Sequence, residues 1–280
     1  MQLNKASFGL LFTLLLASGV ARAEVTNCTV IANLPYTISV KGIYCLTQSF
    51  STSANDAITV NADDVVIELN GHTLEGTLGP SGWARGIVAA SRKNVTVRNG
   101  VIRGFRQGIV LYSNWPFTAS HGYLVENIHA DRNFKSGIVV IASHSSIRNN
   151  RVTLTGGSTT DTGSVLAVRL TGYGGYVGNN TVIETVDAAA LGVIGLYMEY
   201  GKGSVIENNV FSNSALSSLP SFAIQPTNNS DGVTVVGNRV ANFRTGLDMQ
   251  SGGLYMNNTV GGAVTPFSGG TAAGSTNFSF

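Results

Sequence analysis

The sequence predicts an all-β solenoid, a chain wound into stacked parallel coils, on three observations. The first is a motif of an apolar residue, two free positions, an Asn, one free position and a second apolar residue. It appears at Ile147, Asn150 and Val152 and returns at Val177–Asn180–Val182, Ile206–Asn209–Phe211, Val235–Asn238–Val240 and Tyr255–Asn258–Val260. Upstream, Ile67 with Asn70 and Leu124 with Asn127 keep its first half, and Val97 has Gly100 in the Asn position. From Asn70 onward the spacings are 30, 27, 23, 30, 29, 29 and 20 residues, a coil of varying length. The second observation is a short β-branched run in every unit, bounded by Gly, Asn or Ser. The third is that no later stretch holds a helical apolar period for a dozen residues. A propeller needs four strands in each forty-odd residues, too many for these units, so stacked parallel coils are expected, about eight of them.

Residues 1–23 stand apart from the repeat. Lys5 precedes an apolar run from Phe8 to Leu16, and Ala21-Arg22-Ala23 forms a small-x-small cleavage site. That run is short for a bilayer span, so a signal peptide cleaved after Ala23 and a secreted or periplasmic product are expected. No later segment is apolar enough for a transmembrane helix. Residues 24–50 are expected to cap the coil, held by a Cys28–Cys45 disulfide that an exported chain can keep. The solenoid proper is placed at 51–260. The Gly-, Ser- and Thr-rich residues 261–280 are expected to cap the last coil or to fray.

Cleavage removes Lys5 and Arg22, leaving fifteen bases against fifteen acids. The charges are segregated. Residues 24–84 hold one base against six acids, residues 85–151 hold ten against two, and residues 152–280 hold four against seven. A basic belt between acidic ends raises the local concentration of an anionic partner, less so at high salt. Nucleic acid does not fit a neutral exported chain.

Two strands are readable in each coil. The first is an alternating run such as Gly86-Ile87-Val88-Ala89, Gly108-Ile109-Val110-Leu111 or Gly137-Ile138-Val139-Val140. The second runs into the Asn, as in Gly232-Val233-Thr234-Val235. Coils about 4.8 Å apart put equivalent residues in vertical ladders. An Asn amide has donors and an acceptor for the next coil, and Asn tolerates the left-handed backbone of a tight turn. The Asn column is therefore scaffold. Phe105-Arg106-Gln107-Gly108 and Phe134-Lys135-Ser136-Gly137 share a template, predicting that Phe105 and Phe134 stack inside. Glu68 and Arg98, with Glu126 and Arg148 following within a one-residue slip, suit vertical ion pairs of at most about 1 kcal/mol each.

With Glu68-Leu69-Asn70-Gly71-His72-Thr73-Leu74-Glu75-Gly76 as a first-coil sequence, the chain resembles the pectin-lyase-like parallel β-helix superfamily over roughly residues 34–260. The resemblance implies right-handed coiling. It leaves the activity open, because that superfamily includes lyases, hydrolases, epimerases and binding proteins.

Interruptions of the repeat mark loops at 113–121, 155–163, 187–192 and 212–221, where a rigid coil carries function. Outward positions of the first strand include Tyr112, Arg169, Tyr197, Glu199, Gln225, Asp248 and Gln250. With Trp115 in the first loop, they offer the flat faces and polar partners of a sugar chain. The candidate substrate-binding residues are Trp115, Arg169, Tyr197, Glu199 and Asp248. The belt makes an acidic extracellular polysaccharide the sharpest ligand. Elimination from a uronate needs a neutraliser, a base and an acid, for which Arg106, Lys135, Arg132, Asp131 and Tyr112 are the catalytic candidates, with His129 as a further proton carrier. Asp131 could instead orient one of these or help hold Ca²⁺, although no cofactor is required. Hydrolysis needs two placed carboxylates. Only Glu199 and Asp248 offer them, about two coils and roughly 10 Å apart, so a lyase fits better than a hydrolase. A copper role lacks a cluster of His, Met or Cys. The reading from a different class is a non-catalytic structural or adhesive surface protein.

Overall fold

The computed structural model describes residues 24–117, 119–186 and 192–280. The expected signal peptide, Thr118 of the first loop and most of the 187–192 loop lie outside the described residues. Every strand pairing is parallel, and pairs join equivalent positions of successive coils. The chain is a parallel β-helix with three faces. The first sheet runs through Tyr36–Ile38, Asp56–Val60, Arg85–Ala90, Gln107–Tyr112, Ser136–Ile141, Val165–Thr171, Val193–Glu199 and Ser221–Thr227. It ends with the first halves of Thr245–Met256 and Thr265–Ala272. Ten rungs can thus be followed among the described residues, more than the eight expected, because the first and last lack the full Asn motif.

A third strand per coil is the main difference from the sequence reading. The second sheet carries the apolar residue before the Asn: Ile67, Val97, Val125, Ile147, Val177, Ile206, Val235 and Tyr255 are register partners. The third carries the apolar residue after it, including Val152, Val182, Phe211, Val240 and Val260. The motif spans the corner between two sheets, which is why its two apolar residues read as one strand in sequence. The register also corrects one copy by a residue. Val125, not Leu124, faces inward, and Ile128 stands where later coils have Asn.

At that corner the turn and the ladder are divided between neighbours. Asn149, Asn179, Asn208 and Asn257 take left-handed φ of 57°, 57°, 55° and 54°, as does Gly237 at 67°. The next residue forms the ladder. Asn180 Nδ2 donates to Asn209 Oδ1 of the next coil at 2.9 Å and to the Ile147 carbonyl of the previous one at 2.9 Å, and its backbone N–H donates to the same Oδ1 at 2.9 Å. The pattern continues through Asn150, Asn209, Asn238, Asn258 and Asn277. Each interior member has every amide donor and acceptor used, as burial requires. Gly100 cannot be replaced by Asn in this frame: a Cβ there would lie 2.3 Å from Leu69 Cβ.

The core is a column of Ile, Val, Leu and Phe between the three sheets. Phe105 is in it, fully buried, but Phe134 is not. Asn133 takes the interior position, donating from Nδ2 to the Ile102 carbonyl at 3.0 Å and accepting the Phe105 N–H at 3.2 Å. The Phe134 ring is displaced to the surface. Residues assigned to the end caps are also part of the helix. Tyr36–Ile38 and Gly42–Cys45 pair with the following coil, so the solenoid begins before residue 51. Thr265–Ala272 and Phe278–Ser279 form the last rung. The Cys28–Cys45 disulfide joins the N-terminal segment to the second sheet.

Candidate functional site

The basic belt changes meaning in three dimensions. Asp56 and Arg85, Glu68 and Arg98, and Glu75 and Arg103 are register partners on adjacent coils. They form ion pairs of 2.7, 2.8 and 2.9 Å. Arg148 pairs with its register partner Glu126 at 2.9 Å, without the slip. Acids of the N-terminal coils thus neutralise bases of the belt. Glu68 is almost fully buried and also accepts from the Asn70 N–H and Asn99 Nδ2, so it is a structural carboxylate. Charges segregated along the chain alternate along the helix axis, which cancels much of the field expected of the belt.

The five residues expected to carry catalysis are divided among three places. Arg106 lies at the corner leading into the first sheet. Its guanidinium pairs with Asp161 of the 155–163 loop and stacks 4.0 Å from the Trp83 ring centroid. Lys135, one coil on, donates to the Gly163 carbonyl of the same loop. The loop is also bound to Pro80 by Ser158 and Thr159. Arg106 holds the Asp161 carboxyl below the usual range: burial opposes its charge, and the hydrogen bonds from Arg106 and Ser158 outweigh burial. Tyr112 is on the outer face of the first sheet, in register with Ala90 and Ile141 and close enough to Arg85 to help hold that guanidinium's proton. Asp131 and Arg132 are on the third sheet. Asp131 accepts from Arg132 Nε at 2.8 Å and from Thr153 Oγ1 at 2.7 Å. His129 Nε2 is 2.8 Å from the same Thr153 oxygen. Burial opposes the Asp131 charge, but these hydrogen bonds outweigh it and hold its pKa down, while desolvation lowers that of His129. Both Asp131 oxygens are occupied within the protein. Among the described residues no group of three or more His, Cys, Asp or Glu could hold a metal ion, so the Ca²⁺ expectation finds no ligand set.

The four first-sheet residues expected to bind substrate come together. One outward column reads Val88, Val110, Val139, Arg169, Tyr197, Gln225, Asp248 and Ser268. The neighbouring column reads Ala90, Tyr112, Ile141, Thr171, Glu199 and Thr227. The face is apolar over its N-terminal coils and polar over its C-terminal ones. Arg169 pairs with Glu199 at 2.8 Å, donates to Thr171 at 3.1 Å and lies 5.6 Å from the centroid of the Tyr197 ring. Tyr197 Oη is 3.3 Å from Thr227 Oγ1. Gln225 and Gln250 both donate to Asp248 Oδ2, at 2.9 and 2.7 Å. Burial first, and then the Glu199 carboxylate, push the Tyr197 phenol up. A phenol with a raised pKa is a poor base at neutral pH.

Aromatic loops stand at both edges of this sheet. At the C-terminal ends of the strands, Trp115 packs 4.9 Å from Tyr200 and 5.3 Å from Phe117. The 113–121 loop thereby reaches from the Gln107–Tyr112 rung to the residue after Glu199, three rungs away. At the opposite edge stand Trp83 and Arg106. Both tryptophans are 62% exposed, enough for a ring face to be available to a ligand. Sequence reasoning missed Trp83, Tyr200 and Asp161. Gly79-Pro80-Ser81-Gly82 marked a turn beside Trp83, and Asp161 lay in a flagged loop, but no spacing announced their contacts.

Glu199 and Asp248 sit two rungs apart and in different columns. Their backbones are therefore about 12 Å apart, and each carboxylate is turned to other partners, Glu199 to Arg169 and Asp248 to Gln225 and Gln250.

No protein-family model matches the chain, and no curated protein matches its sequence. Solved structures do match the fold. Pectate lyase Pel9A aligns over 84% of this chain and 70% of its own, with TM-score 0.57 and 17% identity. An alginate lyase from Paenibacillus sp. strain FPU-7 aligns over 87% and 97%, with TM-score 0.46 and 12% identity. A tailspike protein of E. coli bacteriophage HK620, solved with a pentasaccharide, aligns over 89% and 55%, with TM-score 0.43 and 11% identity. The chain thus has the right-handed parallel β-helix fold seen in pectate lyase Pel9A. The right hand agrees with the general handedness of parallel crossovers.

Proposed function

We propose that this is an exported protein that recognises an extended extracellular polysaccharide along the outer face of its first sheet. One observation carries the reading. The outward column changes from Val88, Val110 and Val139 to Arg169, Tyr197, Gln225 and Asp248 without leaving the scaffold's register. The valines are buried, whereas Arg169 and Tyr197 are part-exposed, so the polar coils are where this face meets solvent. The polar coils offer an aromatic face, a guanidinium, amides and the Asp248 Oδ1 to sugar rings and hydroxyls, with Trp115 and Trp83 at the two edges. Pectate and alginate lyases share the fold, and a tailspike protein with this fold was solved with a pentasaccharide. A disulfide-linked N-terminal segment suits an oxidising compartment. Among the described residues no helix is long and apolar enough to cross a membrane.

Recognition is favoured over cleavage on this face. The Tyr197 phenol is pushed away from the range of a base, Arg169 is engaged by Glu199, and the Asp248 carboxylate is held by Gln225 and Gln250. The test is a panel of acidic and neutral polysaccharides, read by binding and by the ultraviolet absorbance of an unsaturated uronate. Binding without product, weakened at least tenfold by Tyr197→Ala, is the expected result. Accumulating product would replace recognition with a lyase using Arg106, Lys135, Arg132, Asp131 or Tyr112. No binding to any glycan would leave a structural or adhesive role.

A further inference from the structure

The third sheet carries a second constellation that the polysaccharide face does not use. Glu75, Arg103, Asp131 and Thr153 are successive register partners on its outer side. Glu75 and Arg103 of this row line a depression of about 350 Å³ together with Gly76, Gly104, Arg132 and Phe134. That volume is at the lower end of small-ligand sites. It adjoins a second depression of about 260 Å³, which shares Glu75 and Arg103 and adds Phe50, Thr73 and two serines. The result is a shallow cleft along the helix axis with an aromatic ring toward each end.

Two features make it more than a solvated row of charges. The first is Phe134. Its counterpart one coil earlier, Phe105, is fully buried, whereas Asn133 takes the interior position and Phe134 lies in the cleft wall, part-buried, beside Arg103 and Arg132. The second is unused donor capacity. Arg103 is held by Glu75 through Nη2 and Arg132 by Asp131 through Nε, one nitrogen each. A guanidinium has five N–H donors in a planar fork, so both keep donors for a further carboxylate. Asp131 is in turn fixed by Thr153 at 2.7 Å, which sets where Arg132 sits. The acids position the guanidiniums without saturating them.

We infer that this cleft binds a short stretch of uronate-bearing glycan, separately from the first sheet. Arg103 and Arg132 take carboxylates, and Phe134 packs on a sugar ring. The site does not depend on the first-sheet reading, and either can fail alone.

The test is calorimetric titration of the protein, residues 24–280, with a glucuronate trimer and with the same trimer fully methyl-esterified. Two substitutions separate the sites. Arg132→Gln removes a guanidinium whose side chain is mostly exposed, and Tyr197→Ala alters only the first sheet. Circular dichroism melts check that each variant is folded. The expected result is that the acid trimer binds, the ester binds at least tenfold more weakly, Arg132→Gln loses at least tenfold, and the amide shifts at Arg103, Arg132 and Phe134 persist in Tyr197→Ala. Amide shifts on titration should centre on Arg103, Arg132 and Phe134. The inference is overturned if the acid trimer does not bind, if the ester binds equally, if Arg132→Gln binds as the unaltered protein does, or if the shifts map to the first sheet.

Discussion

The asparagine corner and the outer face of the first sheet are both polar ladders running up the same coils, yet they differ in where their hydrogen bonds go. In the corner, Asn180, Asn209, Asn238 and Asn258 are buried, and their amides are spent on the coils above and below. On the face, Gln225 and Asp248 are buried as well, but Arg169 and Tyr197 beside them are part-exposed, and the hydrogen bonds run between side chains of the face, not into the backbone of the coils. A repeated polar residue whose hydrogen bonds close on themselves is scaffold. A polar column that replaces valine part-way along the helix, with part-exposed members, is where a ligand is expected. The contrast separates the two roles without any appeal to how conspicuous a motif looks in sequence.

The contrast can be broken by substitution. Asn209→Leu should have the largest effect. It strands the Asn180 N–H and one Asn180 Nδ2–H, and it removes the donor to the Val177 carbonyl. At about 1–3 kcal/mol for each buried unsatisfied group, roughly 3 kcal/mol or more should be lost, seen as a lower denaturant midpoint. A loss below about 1 kcal/mol would mean that the ladder is not what holds the corner.

Next comes the N-terminal end, where the Asn column has Gly100 and Ile128 instead and other ties must serve. Replacing Cys28 and Cys45 together by Ser opens a loop of sequence separation 17. This should cost about 3 kcal/mol or less. Because coils contact mainly their neighbours, hydrogen exchange should rise in the first coils and not near Asn238.

Gln225→Leu tests the other side of the comparison. Asp248 keeps its bond from Gln250, so stability should change by about 1 kcal/mol or less while glycan affinity falls. A large stability loss with unchanged binding would make the face scaffold too.

The smallest expected effect is a pH dependence on the third sheet. Desolvation lowers the folded pKa of His129 from its ordinary 6.5, so the folded state prefers the neutral ring. Its contribution is complete above pH 6.5 and is lost as pH falls through the lowered folded value. Asp131, lowered from 3.8, adds a second loss at still more acid pH. Melting temperature should decline from pH 7 toward 5, and His129→Asn should flatten that part of the curve. An unchanged slope would remove His129 from the account.

Much of the fold was legible in the sequence because a solenoid writes its period into the chain: Asn150, Asn180, Asn209, Asn238 and Asn258 index the coils directly. The third strand was not legible, since it follows directly on the corner and shortens from six residues at Arg151–Gly156 and Thr181–Val186 to three at Val210–Ser212, Arg239–Ala241 and Thr259–Gly261, too few for a steady alternation. Asn277 was missed because Gly274 stands where the motif wants an apolar residue. For the site, alternation from inward Leu and Ile placed Arg169, Tyr197, Glu199 and Asp248 on one face. The belt was misleading, because pairing depends on register between coils: Asp56, Glu68 and Glu75 lie about 30 residues from Arg85, Arg98 and Arg103 yet are their neighbours. Phe134 resembled Phe105 in its local template, and only Asn133, which competes for the interior, set them apart.

The central claim is that the polar half of the first sheet binds glycan, whether or not the third-sheet cleft does. Nuclear magnetic resonance mapping tests it most directly: amide shifts of the labelled protein, residues 24–280, are followed as it is titrated with the polysaccharide fragment that binds most tightly to the first sheet. The account predicts a contiguous band of perturbed amides across Arg169, Tyr197, Gln225 and Asp248, with Val88 and Val110 unaffected and the band abolished in Tyr197→Ala. Perturbations centred on the asparagine corner or the second sheet, or a band that survives Tyr197→Ala, would contradict it.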